Sequence, residues 1–162
     1  MVLDATRGRD APLDEHRLES WHAALFPTGY SAMAKISAGR WRSGGDPMQL
    51  VSGQLGKERV HYEAPPAARV PQEMSAFFDW WRGSRENVDG ILRAAVAHLW
   101  FVSVHPFEDG NGRIARTITD MALAQDEDDP RRLYSMSAQI VSERRGVGVL
   151  FHRVEFAVDL RL

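Results

Sequence analysis

"HPFEDGNGRIAR", residues 105–116, sets a histidine, two acidic residues, an asparagine between glycines and two arginines into one short stretch. It reads first as a turn between helices. Pro106 removes a backbone donor and biases His105 away from helical geometry, and "EDGNG" supplies residues that tolerate positive φ. Turn chemistry accounts for Asp109, Gly110 and Asn111, but not for Arg113 and Arg116. Those two fall near the start of the next helix, where the macrodipole is already positive and acidic residues are preferred. Cations in that place imply a bound anion. Gly110, Asn111 and Gly112 would offer unobstructed N–H groups at the same helix start, forming an anion-binding nest. The i, i+3 spacing puts both guanidiniums on one face, in reach of successive groups of a polyphosphate. Asp109 adds a hard oxygen ligand suited to Mg²⁺ shared with phosphate oxygens, and His105 can exchange a proton near neutral pH. A base, a metal carboxylate, an anion nest and two guanidiniums make a phosphoryl or nucleotidyl transfer site.

The flanks are helical. Upstream, "VDGILRAAVAHLWFVSVHP" (88–106) is apolar nearly all round, as in a central helix covered on several sides. Downstream, a helix from about 112 to about 124 turns Ile114, Ile118 and Met121 inward. "VPQEMSAFFDWWRGS" (70–84) carries Val70, Met74, Phe77, Phe78 and Trp81 on one face. "LDEHRLESWHAAL" predicts a helix over 13–25. Between these, Met48–Val51 and Arg59–Glu63 are strand-compatible around Gly53 and Gly56, and Pro65-Pro66 ends the unit, giving a hairpin that lies on helices as a lid or docking edge. "SAGRWRSGGDP" (37–47) is expected to be a long surface loop, residues 1–12 a polar, frayed start, and "DEDDP" a solvated turn. A further helix is expected over 136–145, while 146–162 fits neither period. The fold class is therefore all-α with one hairpin, in one domain.

Composition closes off several functions. With 162 residues, a net charge of −2 and no cysteine, the chain has no global field to favour nucleic acid or an anionic membrane, and neither thiol chemistry nor Cys-held metal centres. The N-terminus lacks a signal-peptide apolar region, and "AAVAHLWFVSV" (94–104) is too short to span a bilayer. The chain reads as soluble and cytoplasmic. His98, upstream on the helix that leads to His105, reads as a core or supporting histidine rather than a metal ligand.

The stretch 105–116 resembles the signature of the Fic family, HPF-x-(D/E)-GNGR-x-x-R, at all nine specified positions. "RLESWHAALFP", "VSGQLGKERVHYEAPP" and "AHLWFVSVHPF" extend the likeness over roughly residues 13–145, toward the bacterial subgroup that normally carries an extra N-terminal helical domain. The resemblance implies a Fic core over 1–145, an atypical segment over 146–162, and a helical bundle with a hairpin flap over the motif loop. It implies a protein adenylyltransferase that moves AMP from ATP to a Ser, Thr or Tyr hydroxyl of a target protein with Mg²⁺. His105 would be the base and Phe107 the anchor of the nucleotide-binding loop. Asp109 would bind Mg²⁺. Gly110, Asn111 and Gly112 would hold the phosphates, Asn111 and Arg113 would act in catalysis, and Arg113 and Arg116 would orient the triphosphate. The flap, residues 48–63, would clamp the target segment by strand addition.

Two departures matter. Many Fic proteins carry an inhibitory (S/T)-x-x-x-E-(G/N) helix, and here no Ser or Thr is followed four residues later by Glu. The chain is thus expected to be unrestrained or controlled by a partner in trans. Where members of the family place two tyrosines near the adenine, this chain has Val147 and Gly148. That loss weakens adenine stacking by on the order of 1 kcal/mol or more, and the core edge exposed where the chain departs from the family pattern favours self-association. The alternatives within the same fold are removal of AMP, transfer of another phosphate-linked group, or a catalytically idle module that binds partners.

Overall fold

The computed structural model describes residues 1–45, 47–52 and 59–131. In chain order these form α1 (Val2–Arg7), α2 (Glu15–Leu25), a short pair β1 (Tyr30–Ser31) and β2 (Ala34–Lys35), and the hairpin β3 (Gln49–Ser52) and β4 (Arg59–Glu63). Three helices follow: α3 (Val70–Ser84), α4 (Gly90–Val104) and α5 (Asn111–Asp126). The predicted helix over 136–145 and the segment 146–162 lie outside the described residues, as does the flap tip, 53–58.

Local chemistry sets the helix ends. The Asp14 carboxylate accepts the Arg17 amide at 2.8 Å to cap α2, and Asp89 accepts the amides of Ile91 and Leu92, both at 3.1 Å, to cap α4. Proline in the first turn of α3 sits where its missing N–H costs nothing. The apolar stripe of α3 is buried as its spacing predicts: Val70, Met74, Phe77, Phe78 and Trp81 all lie inside. They meet Ala94, Ala97 and Phe101 of α4 and Ile114, Ile118 and Met121 of α5 in one core. The fully buried Phe77 packs edge-on against Trp100 at 5.9 Å and Phe101 at 6.2 Å, joining α3 to α4. Arg93, 2% exposed, donates to Ser84 Oγ, the Trp81 carbonyl and Gln125 Oε1 and lies 3.8 Å from the Trp81 ring centre, so it ties α3, α4 and α5 at one point.

The hairpin is antiparallel, with Gln49 opposite Glu63 and Ser52 opposite Arg59, and its register shifts between Leu50 and Val51. Tyr62 of β4 donates its hydroxyl to the Ser103 carbonyl at 2.8 Å, which seats the hairpin on the end of α4.

Two expectations are corrected. Residues 1–12 do not fray: α1 packs Ala5 into the core, and the Arg17 guanidinium donates to the carbonyls of Asp4, Gly8 and Ala11, supplying the partners that a short polar helix lacks. Trp21 adds an indole N–H to Asp4 Oδ2 at 2.8 Å. The stretch 37–47 is not simply a surface loop either, because Arg42 is buried within it and Trp41 packs on Phe107 at 4.7 Å.

Truncating Phe77 removes a ring that several aromatics share. Phe77→Ala is expected to lower unfolding free energy by about 3–5 kcal/mol, measured by urea denaturation followed by tryptophan fluorescence.

Candidate active site

Helix α4 stops at Val104 because His105 turns into the left-handed region (φ 51°, ψ 57°) and its N–H caps back to the Phe101 carbonyl at 3.1 Å. Pro106 then forbids continuation. Phe107 drops into the core, stacked flat on His22 with 4.1 Å between ring centres and a 4° interplanar angle. The buried Asn111 side chain closes the turn from the other side: its Oδ1 accepts the Phe107 amide at 3.0 Å and its Nδ2 donates to the Phe107 carbonyl at 2.8 Å. Gly110, at φ 78°, precedes α5, and its carbonyl accepts the amides of Arg113 and Ile114. A side chain at Gly110 would be strained in that region and would meet Phe26 Cε2 at 2.9 Å. Glycine therefore serves both the turn and its close approach to α2.

Among the described residues no side chain caps α5 and none accepts from the amides of Asn111 and Gly112 at its positive end. Beside them Arg113 is exposed, with its guanidinium 4.7 Å from the Phe26 ring centre. A Cβ on Gly112 would lie 3.6 Å from Arg116 Nη1, so the second arginine folds over the same helix start. Among the described residues neither guanidinium has a carboxylate partner.

His105 Nδ1 faces the Val102 carbonyl at 3.3 Å. A carbonyl only accepts, so Nδ1 carries the proton and Nε2 keeps its lone pair. Burial is the main influence on this imidazole and lowers its pKa from the ordinary 6.5, which favours the neutral ring. The exposed Asp109 carboxylate is oriented by two donors, the Ser31 hydroxyl on Oδ2 and the Gly110 amide on Oδ1 at 2.5 Å. The Ser31 bond is the first cause that lowers its pKa. No three His, Cys, Asp or Glu side chains converge on a metal position among the described residues. One carboxylate beside an anion nest suits an ion that keeps waters and shares phosphate oxygens, not an all-protein cage.

The structure thus brings His105, Asp109, the amides of 111 and 112, Arg113 and Arg116 to one loop and the helix start that follows it. Phe107 is wholly buried and anchors the loop in the core as expected, so any influence on a nucleotide passes through the loop backbone. The Asn111 amide group is spent on Phe107, leaving its backbone N–H for a ligand. His98 donates toward Thr119 Oγ1 at 3.1 Å and supports the α4–α5 packing.

Residues that the sequence reading passed over complete the seat. His22 Nδ1 accepts the Gly39 amide at 2.8 Å, so its Nε2–H faces the Asp109 carbonyl at 3.2 Å. The Ser37 amide donates to Glu108 Oε2 at 2.8 Å. Arg42 holds the carbonyls of Val104 and His105. Each is an isolated polar residue without periodicity, so the only available signal was a histidine set among the apolar positions of α2.

The sequence profile of the Fic/DOC family matches residues 12–123. The chain belongs to the Fic/DOC family. Its Fic fold is shared by a Fic-domain-containing signaling protein from Bacteroides thetaiotaomicron, with a TM-score of 0.61 at 21% identity over 76% of this chain and 43% of that one. A Fic family protein from Desulfovibrio desulfuricans is 30% identical with a TM-score of 0.56, over 75% of this chain and 33% of that one. Among curated relatives, a uridine 5'-monophosphate transferase of Xanthomonas campestris pv. campestris is 30% identical over 66% of this chain and 23% of that protein. Protein adenylyltransferase fic-1 of Caenorhabditis elegans is 42% identical over 33% of this chain and 11% of that protein. The chain spans about a quarter or less of the length of these two relatives. No helix among the described residues is long and apolar enough to cross a membrane.

Two outcomes are expected of this Fic chain. Gly110→Ala should cost about 1–2 kcal/mol for the left-handed backbone alone, with a further loss from displacing Phe26, read by chemical denaturation. His22, His98 and His105 are all held below the ordinary 6.5 by burial, so protonation favours the unfolded chain. Their stabilising contribution is complete above that value and is lost as pH falls through the depressed folded values, so Tm should decline as the pH is lowered below 6.5 in a thermal series.

Proposed function

We propose that this Fic chain transfers AMP from ATP to a hydroxyl side chain of a target protein and releases pyrophosphate. The observation that carries the reading is the pairing of two guanidiniums, without carboxylate partners among the described residues, with an uncapped, glycine-lined helix start, downstream of an imidazole whose Nε2 keeps its lone pair. The target hydroxyl oxygen attacks the α-phosphorus while His105 Nε2 takes its proton. The bond from that phosphorus to the bridging oxygen breaks, and the electron pair leaves with pyrophosphate. Arg113, Arg116 and the amides of residues 111 and 112 stabilise the charge that gathers on the leaving group. Asp109 would hold Mg²⁺, which would supply further charge neutralisation at the phosphates.

The flap, residues 48–63, receives the target backbone. Residues 1–145 constitute the Fic core domain. The reading places the chain in the cytoplasm of a bacterium. The Xanthomonas relative supports transfer of UMP as the second reading, since nest and arginines grip phosphates without reading the base.

Incubation with a candidate target, Mg²⁺ and either ATP or UTP, followed by intact-mass analysis, separates the readings: a gain of AMP supports the first and a gain of UMP the second. His105→Ala should cut transfer by about 100-fold or more while Mg·ATP binding by calorimetry stays within about twofold. Equal behaviour of wild type and variant would mark the chain as an idle binding module. Arg116→Ala should weaken Mg·ATP binding by about tenfold or more, in keeping with loss of a charge-assisted contact.

A further inference from the structure

Arg42 is 6% exposed, yet among the described residues its guanidinium donates only to backbone carbonyls. Its Nε reaches the His105 oxygen at 2.7 Å, while Nη2 reaches Val104 at 3.4 Å and the Pro65 carbonyl just beyond β4. Its own amide donates to the Pro106 carbonyl at 2.8 Å. No carboxylate pairs with it among the described residues. A buried cation without a counter-ion is expensive, and burial pulls its pKa below the ordinary arginine value. The negative end of the α4 macrodipole offsets part of that cost.

What the guanidinium holds explains its presence. His105 is a side-chain-bearing residue at φ 51°, a conformation that L-residues adopt only where their surroundings over-determine it. Two Arg42 donors grip the peptides on either side of Pro106, fixing the turn that sets the direction of the His105 ring. The bond to Pro65 ties the same group to the exit of the flap, beside the Tyr62 bond to Ser103.

We propose that Arg42 is the positioning residue of this site, holding His105 in its left-handed conformation and coupling that conformation to the seat of the flap. The inference rests on the reading of His105 as the base. None of the hydrogen bonds Arg42 makes goes to the nest residues 110–112 or to Arg116, so nucleotide binding and transfer should respond separately to its loss. Its charge also disfavours an imidazolium at His105, in line with the neutral ring.

The test compares wild-type chain with Arg42→Lys and Arg42→Ala. Lysine keeps the charge but cannot span carbonyls on two segments. Arg42→Lys should lower kcat by about tenfold to 100-fold, with Mg·ATP affinity within about twofold of wild type, and added guanidinium ion should restore part of the rate of Arg42→Ala. The ¹³C Cα and Cβ shifts of labelled His105 should leave their left-handed values in Arg42→Lys. Wild-type kcat with unchanged His105 shifts would overturn the proposal, as would a parallel fall in kcat and nucleotide affinity. If the wild type transfers no nucleotide, the functional reading fails, and the His105 shifts alone decide: moved shifts support Arg42 as the holder, and unmoved shifts overturn it.

Discussion

Two hydrogen bonds between the Asn111 side chain and the backbone of Phe107 govern the rest of the molecule. The chain must reverse between α4 and α5 inside a packed core, where each buried peptide group needs a partner. An amide side chain returns both a donor and an acceptor to one residue; an aspartate could not donate, and a leucine could do neither. The closure drives Phe107 between His22 and Trp41 and holds His105 and Gly110, both left-handed, at opposite ends of one short loop. Helix packing is thereby converted into a fixed separation between an imidazole and an anion nest.

That geometry is held from several directions. The C-terminal half of α2 lies against the loop through His22 and Phe26, the segment after β2 grips the loop through Ser37 and Arg42 and holds His22 through Gly39, and the hairpin closes on the end of α4 through Tyr62. These contacts are mostly hydrogen bonds from side chains to backbone, which fix orientation more than they add stability. The apolar core fixes where α4 and α5 lie, and the polar shell fixes where the chemistry points.

The division also explains what could be read from sequence. The helices over 70–84 and 88–106 and the inward face of α5 were legible because burial along a helix repeats, and Phe77, Ile114 and Ile118 fall where the repeat puts them. The site was legible from a conflict, two arginines at the wrong end of a dipole, for which an anion was the natural resolution. Arg42, His22 and Ser37 were not legible, because a single polar residue that satisfies a distant carbonyl or carboxylate leaves no period behind. The first helix was hidden for a related reason: its carbonyls are satisfied by Arg17, on another element. For Asn111 the residue type was noticed and its side-chain task was not, since a Gly-Asn-Gly run suggests ligand contact more readily than closure of its own turn.

The segment from Gly29 to Arg42 has the composition of a linker, but it is pinned along its length. Ile36 bonds back to Gly29, Ser37 to Glu108, Gly39 to His22 and Arg42 to Pro106. A tether with that many fixed points behaves as a ruler, and gaining or losing one residue would put every later anchor out of step. Surface connections usually absorb insertions and deletions as lineages diverge. This one is expected to drift in its letters while keeping its length.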